Sequence, residues 1–138
     1  MANYVDDGEF LAEMTRWRDS SDDPGRRSVS GRLGEILLLL HDGVLRHDKF
    51  RRCRQADKED MRSYSLERIL RKGLYTFRFD GSSPFKYFTC GIFLNYACWL
   101  RTERAKEKRK EEYAAQVETA RRAALPAQPV QEFTSSRS

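Results

Sequence analysis

Apolar residues recur along this chain at intervals of three and four, the period of a buried helical stripe, rather than at the interval of two that marks a strand. Tyr4 and Val5, then Phe10, Leu11, Met14 and Trp17 form the first stripe, with Asp6 or Asp7 placed to cap its start. The run Asp19-Ser-Ser-Asp-Asp-Pro-Gly25 joins turn formers to helix breakers, so the helix ends there and a loop continues to about Ser30. Leu33, Ile36, Leu37, Leu40 and Val44 form a second stripe with extra leucines around it, and predict the most buried helix.

A basic connection, Lys49 to Gln55, leads to a third helical pattern from about Lys58 to Tyr75. Met61, Tyr64, Leu66, Ile69, Leu70, Gly73 and Leu74 are its expected inner face, with Phe77 and Phe79 anchoring the exit and Tyr75 to Phe79 as a weak strand candidate. Asp80-Gly-Ser-Ser-Pro84 reads as a turn that starts a new helix, because proline fits a helix's first turn. That helix runs from Pro84 past Lys110 to about Ala124, where Pro126 and Pro129 stop it. The expected fold is all-α, with an acidic helix and loop over 1–30, a compact helical domain over 31–113, and a helical extension with a disordered tail over 114–138.

Composition narrows the function classes. A length of 138 residues suits one core, and 34% charged against 39% hydrophobic residues implies a densely charged surface. The longest aliphatic run, Ile36 to Leu40, is far shorter than the ~20 residues a membrane-spanning helix requires, so the expected setting is the cytoplasm. Cys53, Cys90 and Cys98 lack metal-ligand spacing and are expected as free, mostly packed thiols; His41 and His47 complete no catalytic constellation, so neither cofactor nor metal is expected. Charge is segregated: residues 1–24 hold seven acids and two arginines, whereas 45–72 hold ten basic and five acidic residues. A basic body of this kind attracts polyanions, and the acidic segment could screen it or meet a basic partner.

One segment carries candidate chemistry. From Ser83 to Arg101 aromatic and polar residues mix on one helix, and six basic residues follow within 101–110. Phe88, Ile92, Tyr96 and Trp99 make one apolar face, Tyr87 and Thr89 point elsewhere, and Phe93 sits at its edge. Rings left outside the core can stack on unpaired bases at ~1 to 3 kcal/mol each, while the basic extension grips phosphates. The plainer alternative is that all of these rings are core.

The stretch Lys72-Gly-Leu-Tyr-Thr-Phe77, then Asp80, Ser83-Pro84, Tyr87, Thr89, Phe93 and Glu103-Arg104 resembles region 2 of bacterial sigma factors, in the divergent form of T-even-like bacteriophage late-transcription factors. Asn3-Tyr4-Val5 and Trp17 also resemble the start of those proteins, and the likeness covers about residues 3–113. It implies a sigma region 2-like fold and a non-enzymatic initiation factor that acts in the cytoplasm of an infected bacterial host. Such a factor binds the host RNA polymerase core through the clamp helices of the beta-prime subunit, recognises a TATA-rich −10 element of late promoter DNA and promotes its opening.

By position, the resemblance assigns polymerase binding to Asp60, Arg62, Ser63 and Glu67, and DNA binding to Tyr87, Thr89, Phe93, Arg101, Arg104 and Lys106. Glu132 and Phe133, near the end of the chain, correspond to a sliding-clamp-binding tail, and a phage coactivator is a further implied partner. Two departures stand out. Where primary sigma factors carry a Tyr and a Trp pair, this chain has Cys90, Phe93 and Leu94, and its docking helix reads Asp60-Met-Arg-Ser-Tyr64 in place of an acid-Gln-Glu pattern. A polymerase-independent helical DNA-binding protein, a repressor or nucleic-acid chaperone, is the alternative. A nuclease using Asp57, Glu59 and Asp60 as metal ligands ranks last, because those acids do not converge from one helix face.

Overall fold

The computed structural model describes residues 5–124, and every regular element among them is helical. The chain divides into two units, one ending at Leu100 and one beginning at Arg101. The first contains α1 (Asp7–Asp19), a 3-10 turn (Pro24–Arg26), α2 (Gly31–Leu45), α3 (Gln55–Arg68), a π-helical turn (Ile69–Gly73) and the short α4 (Leu74–Thr76). It also holds the start of α5 (Pro84–Ala124), and the described part of the second unit is the remainder of that helix.

Helix starts follow their capping chemistry. Asp6 accepts from the Glu9 N–H at 3.3 Å, and Ser30 accepts from Leu33 N–H at 3.1 Å, each satisfying a donor that the first turn leaves open. Ser83 receives Lys86 N–H at the start of α5, and Asp7 of α1 receives Phe85 N–H at 3.0 Å, so two oxygens cap that helix. Gly81 makes the preceding turn at a φ of 95°, a conformation costly for residues with a Cβ.

Phe10, Met14 and Trp17 of α1 are buried with Leu33, Ile36, Leu37, Leu40 and Val44 of α2 and with Phe88, Ile92 and Tyr96 of α5 in one core. The acidic segment therefore belongs to the packed unit. Its charges are used locally: Arg32 donates two hydrogen bonds to Glu9, at 2.7 and 2.8 Å, and Glu13 accepts from Ser30 and Arg16. The Arg32 bonds hold the Glu9 carboxyl below its ordinary range.

Of the expected inner face of the third helical pattern, Met61, Ile69 and Leu74 are buried, and the remainder differs. Met61, Ser65 and Ile69 point inward at intervals of four, and a regular helix would next present Gly73. The π turn adds one residue, so Leu74 takes the inner position instead, while Leu70 is exposed and Leu66 half-buried. Gly73 suits this turn because a Cβ there would lie 3.1 Å from Ile69 Cδ1. The strand candidate at Tyr75 to Phe79 is absent: Tyr75 and Thr76 end α4. Of the cysteines, Cys53 and Cys98 are half-buried and Cys90 is exposed, and all three are thiols. Among the described residues no helix is long and apolar enough to cross a membrane.

Candidate nucleic-acid interface

The first half of α5 turns different residues to different neighbours. Phe88, Ile92 and Tyr96 enter the core, which leaves Tyr87, Cys90 and Leu94 on the outer side, 37% exposed at Tyr87 and 61% at Leu94. Phe77 and Phe88 meet the Tyr87 ring edge-on at centroid distances of 5.4 and 4.9 Å. Its hydroxyl shares a 2.5 Å hydrogen bond with Thr76 Oγ1, which itself donates to Gly73 O at 3.2 Å. Tyr87 is thus tethered to the end of the π turn, with part of its ring facing solvent.

Between the π turn and this side of α5 lies a groove of about 1010 Å³. Ile69, Phe88, Gly91 and Leu94 give it an apolar floor, and Arg68, Arg71, Lys72 and Lys86 line it with cations against a single acid, Glu67. Arg71 is paired with Glu67 at 2.7 Å, and Arg68 donates to Asn95 Oδ1 at 3.2 Å while lying over the Tyr64 ring. Lys72 and Lys86 form no ion pair among the described residues. The groove thus combines a partly exposed aromatic ring, an apolar floor and two uncommitted ammonium groups, a set able to hold an apolar planar group beside an anion.

The other residues expected at the DNA are distributed differently. Thr89 is half-buried, and its hydroxyl has no hydrogen-bond partner within the described structure. Phe93 lies against the turn between α2 and α3: His47 and Phe50 meet its ring edge-on at 5.1 and 5.0 Å, and Lys49 Nζ sits 5.8 Å from its centroid. Tyr87 and Phe93 therefore face different surroundings and do not form one capture surface. In the second unit, Arg101 and Arg104 share a helical face with Lys108, three and seven residues on, whereas Lys106 is turned away and paired with Glu103 at 3.1 Å. Lys108 is an addition that helical spacing could have supplied.

On α3, Asp60, Ser63 and Glu67 lie on one exposed face at helical spacing. Arg62 points towards α2, where Asp42 accepts its hydrogen bond at 2.9 Å, and Glu67 reaches the groove. Asp57 is held by Arg54 and Glu59 by Gln55, and among the described residues no three His, Cys, Asp or Glu side chains are placed to hold a metal. Glu132 and Phe133 lie outside the described residues.

A buried polar chain ties α2, α3 and α5 together behind the groove. His41 Nδ1 is 2.7 Å from Leu37 O, which can only accept, so Nδ1 carries the proton and Nε2 accepts from Ser65 at 3.0 Å. Ser65 Oγ in turn accepts from Asn95 Nδ2 at 3.1 Å, and Tyr96 donates to His41 O at 3.1 Å. Burial pushes the imidazole below its ordinary value. A reading by apolar period passes over Ser65 and Asn95; the signal available was a histidine set four residues after Leu37 on a leucine-rich face.

Comparison of the chain with known protein families and with curated protein sequences finds no match.

Proposed function

We propose that this chain is a transcription-initiation factor of the sigma region 2 type, which binds an RNA polymerase core and stabilises the opened strand of a TATA-rich −10 promoter element. The observation that carries this reading is the groove in which the exposed Tyr87 ring stands beside Lys72 and Lys86. A base turned out of the duplex can stack on that ring at ~1 to 3 kcal/mol, which offsets much of the few kcal/mol lost on unstacking it. The two ammonium groups supply contacts for the flanking phosphates, which set position while the ring receives the base. Asp60, Ser63 and Glu67 offer one exposed face for the polymerase clamp helices.

A polymerase-independent DNA-binding protein is the second reading, favoured by the Arg101, Arg104 and Lys108 face, which suits duplex phosphates without any opening step. The test is capture of bacterial RNA polymerase core by the full chain, followed by run-off transcription from a promoter with a TATA-rich −10 element. Association with core and template-specific transcripts support the initiation reading. Absence of core binding, with tight binding to isolated DNA, would replace it by the second.

A further inference from the structure

The turn between α2 and α3 carries the most concentrated net positive charge in the first unit. Residues 46–54 contain four arginines, one lysine and one acid, Asp48, and all six of these side chains are exposed. Asp48 is engaged by Arg51 at 3.5 Å, and Arg54 is paired with Asp57 at 3.2 Å. Lys49 and Arg52 have no ion pair among the described residues. None of these residues lines the groove beside Tyr87.

We propose that this turn is a second anion-binding surface, which holds the sugar-phosphate backbone of a closed DNA duplex. The cations are presented by a folded turn. Phe50 and Arg51 N–H both donate to His47 O, at 2.8 and 2.9 Å, Cys53 N–H donates to Phe50 O, and Phe50 itself is fully buried as the anchor. Lys49 N–H donates to His47 Nδ1 at 3.0 Å, and its ammonium lies over Phe93. Five cations against one acid within nine residues repel one another, a cost that a polyanion would relieve.

The chemistry selects the occupant. Arginine forks match phosphate oxygens in pairs, and a duplex backbone presents such phosphates at close, regular spacing. The Phe93 ring beside the turn is half-buried against His47 and Phe50 with Lys49 Nζ over it, which favours backbone over unpaired bases. No large apolar side chain is exposed between residues 46 and 54, so the turn has nothing to insert into a bilayer.

This inference stands apart from the initiation reading, because it concerns duplex held without opening. The test titrates the full chain, by fluorescence anisotropy, against a short labelled duplex of mixed sequence over a range of salt. For Lys49→Ala with Arg52→Ala, affinity at low salt is expected to fall about tenfold and the slope of log affinity against log salt to flatten by about two, since each neutralised phosphate contributes ~0.9. Lys49→Arg with Arg52→Lys keeps the charge and is expected to keep the slope. An unchanged slope in the alanine variant, or no duplex binding by the unmodified chain at low salt, overturns the inference. So does an effect confined to phosphatidylglycerol vesicles. Failure to bind polymerase core would overturn the initiation reading and leave this one standing.

Discussion

His41 shows how much one residue can control here. Its neutral form accepts a hydrogen bond from Ser65; adding a proton to Nε2 turns that acceptor into a donor, so Ser65 Oγ must accept from both His41 and Asn95 while its own buried proton loses its acceptor. Arg62 opposes the added charge and Asp42 favours it, but burial is the largest influence and holds the folded-state pKa below the ordinary 6.5. Between the two values the unfolded chain binds the proton and the folded chain does not, so stability rises with pH across that interval. Denaturant midpoints are expected to fall as pH is lowered from 8 through about 6.5 and then to level off below the folded-state value, and His41→Leu should remove this slope. The two rings that the resemblance assigns to DNA separate on the same scale. Each truncation strips a neighbour from buried rings, Phe77 and Phe88 at Tyr87 and Phe50 at Phe93, so both are expected to cost ~2 kcal/mol in denaturant titrations, but only Tyr87→Ala should abolish promoter opening under conditions where the variant is folded.

At the scale of elements, the helices were legible because the stripes of α1 and α2 keep their period and α1, α2 and α5 start at oxygen-bearing side chains, whereas α3 follows Arg54 with no side-chain cap. What the sequence did not reveal is the π turn. The expected inner face rightly held Met61, Ile69 and Leu74, but it also took in Leu70, which is exposed, and passed over Ser65, which is buried. Ser65 was invisible to an apolar count because its burial depends on partners from two other helices, and the added residue has no marker in composition. The site divides the same way. Spacing on one helix placed Tyr87 outside the core, but the pairing of Phe93 with His47 and Phe50 is a tertiary contact that no local pattern encodes. The π turn can be tested by deleting exposed Leu70, which restores four-residue spacing from Ile69 to Leu74 and so keeps the inner face in register. That variant is expected to retain its helical circular dichroism and melt within a few degrees of the parent. It should lose promoter opening, because Arg71 and Lys72 no longer line the groove as they do now.

For the whole molecule, the contrast between an acidic beginning and a basic middle invites a picture of a detachable arm that screens a DNA surface. The packing argues otherwise. Val5, Phe10, Met14 and Trp17 are each at most 2% exposed, Glu9 and Glu13 are bonded to Arg32 and Ser30, and Asp7 caps α5. At ~1.5 to 3 kcal/mol for each large apolar side chain, removing those four would forfeit ~6 to 12 kcal/mol, comparable with the ~5 to 15 kcal/mol of a typical domain's entire stability. A chain beginning at Pro24 is therefore expected to lose cooperative thermal unfolding, while neutralising the arm in place, Glu9→Gln with Glu13→Gln, should leave a folded protein that is less stable. If the segment were a screen, both changes would instead raise affinity for duplex DNA with the melting transition intact. Cooperative melting of the truncated chain, combined with tighter DNA binding, would show that the acidic residues act on the ligand and not on the fold.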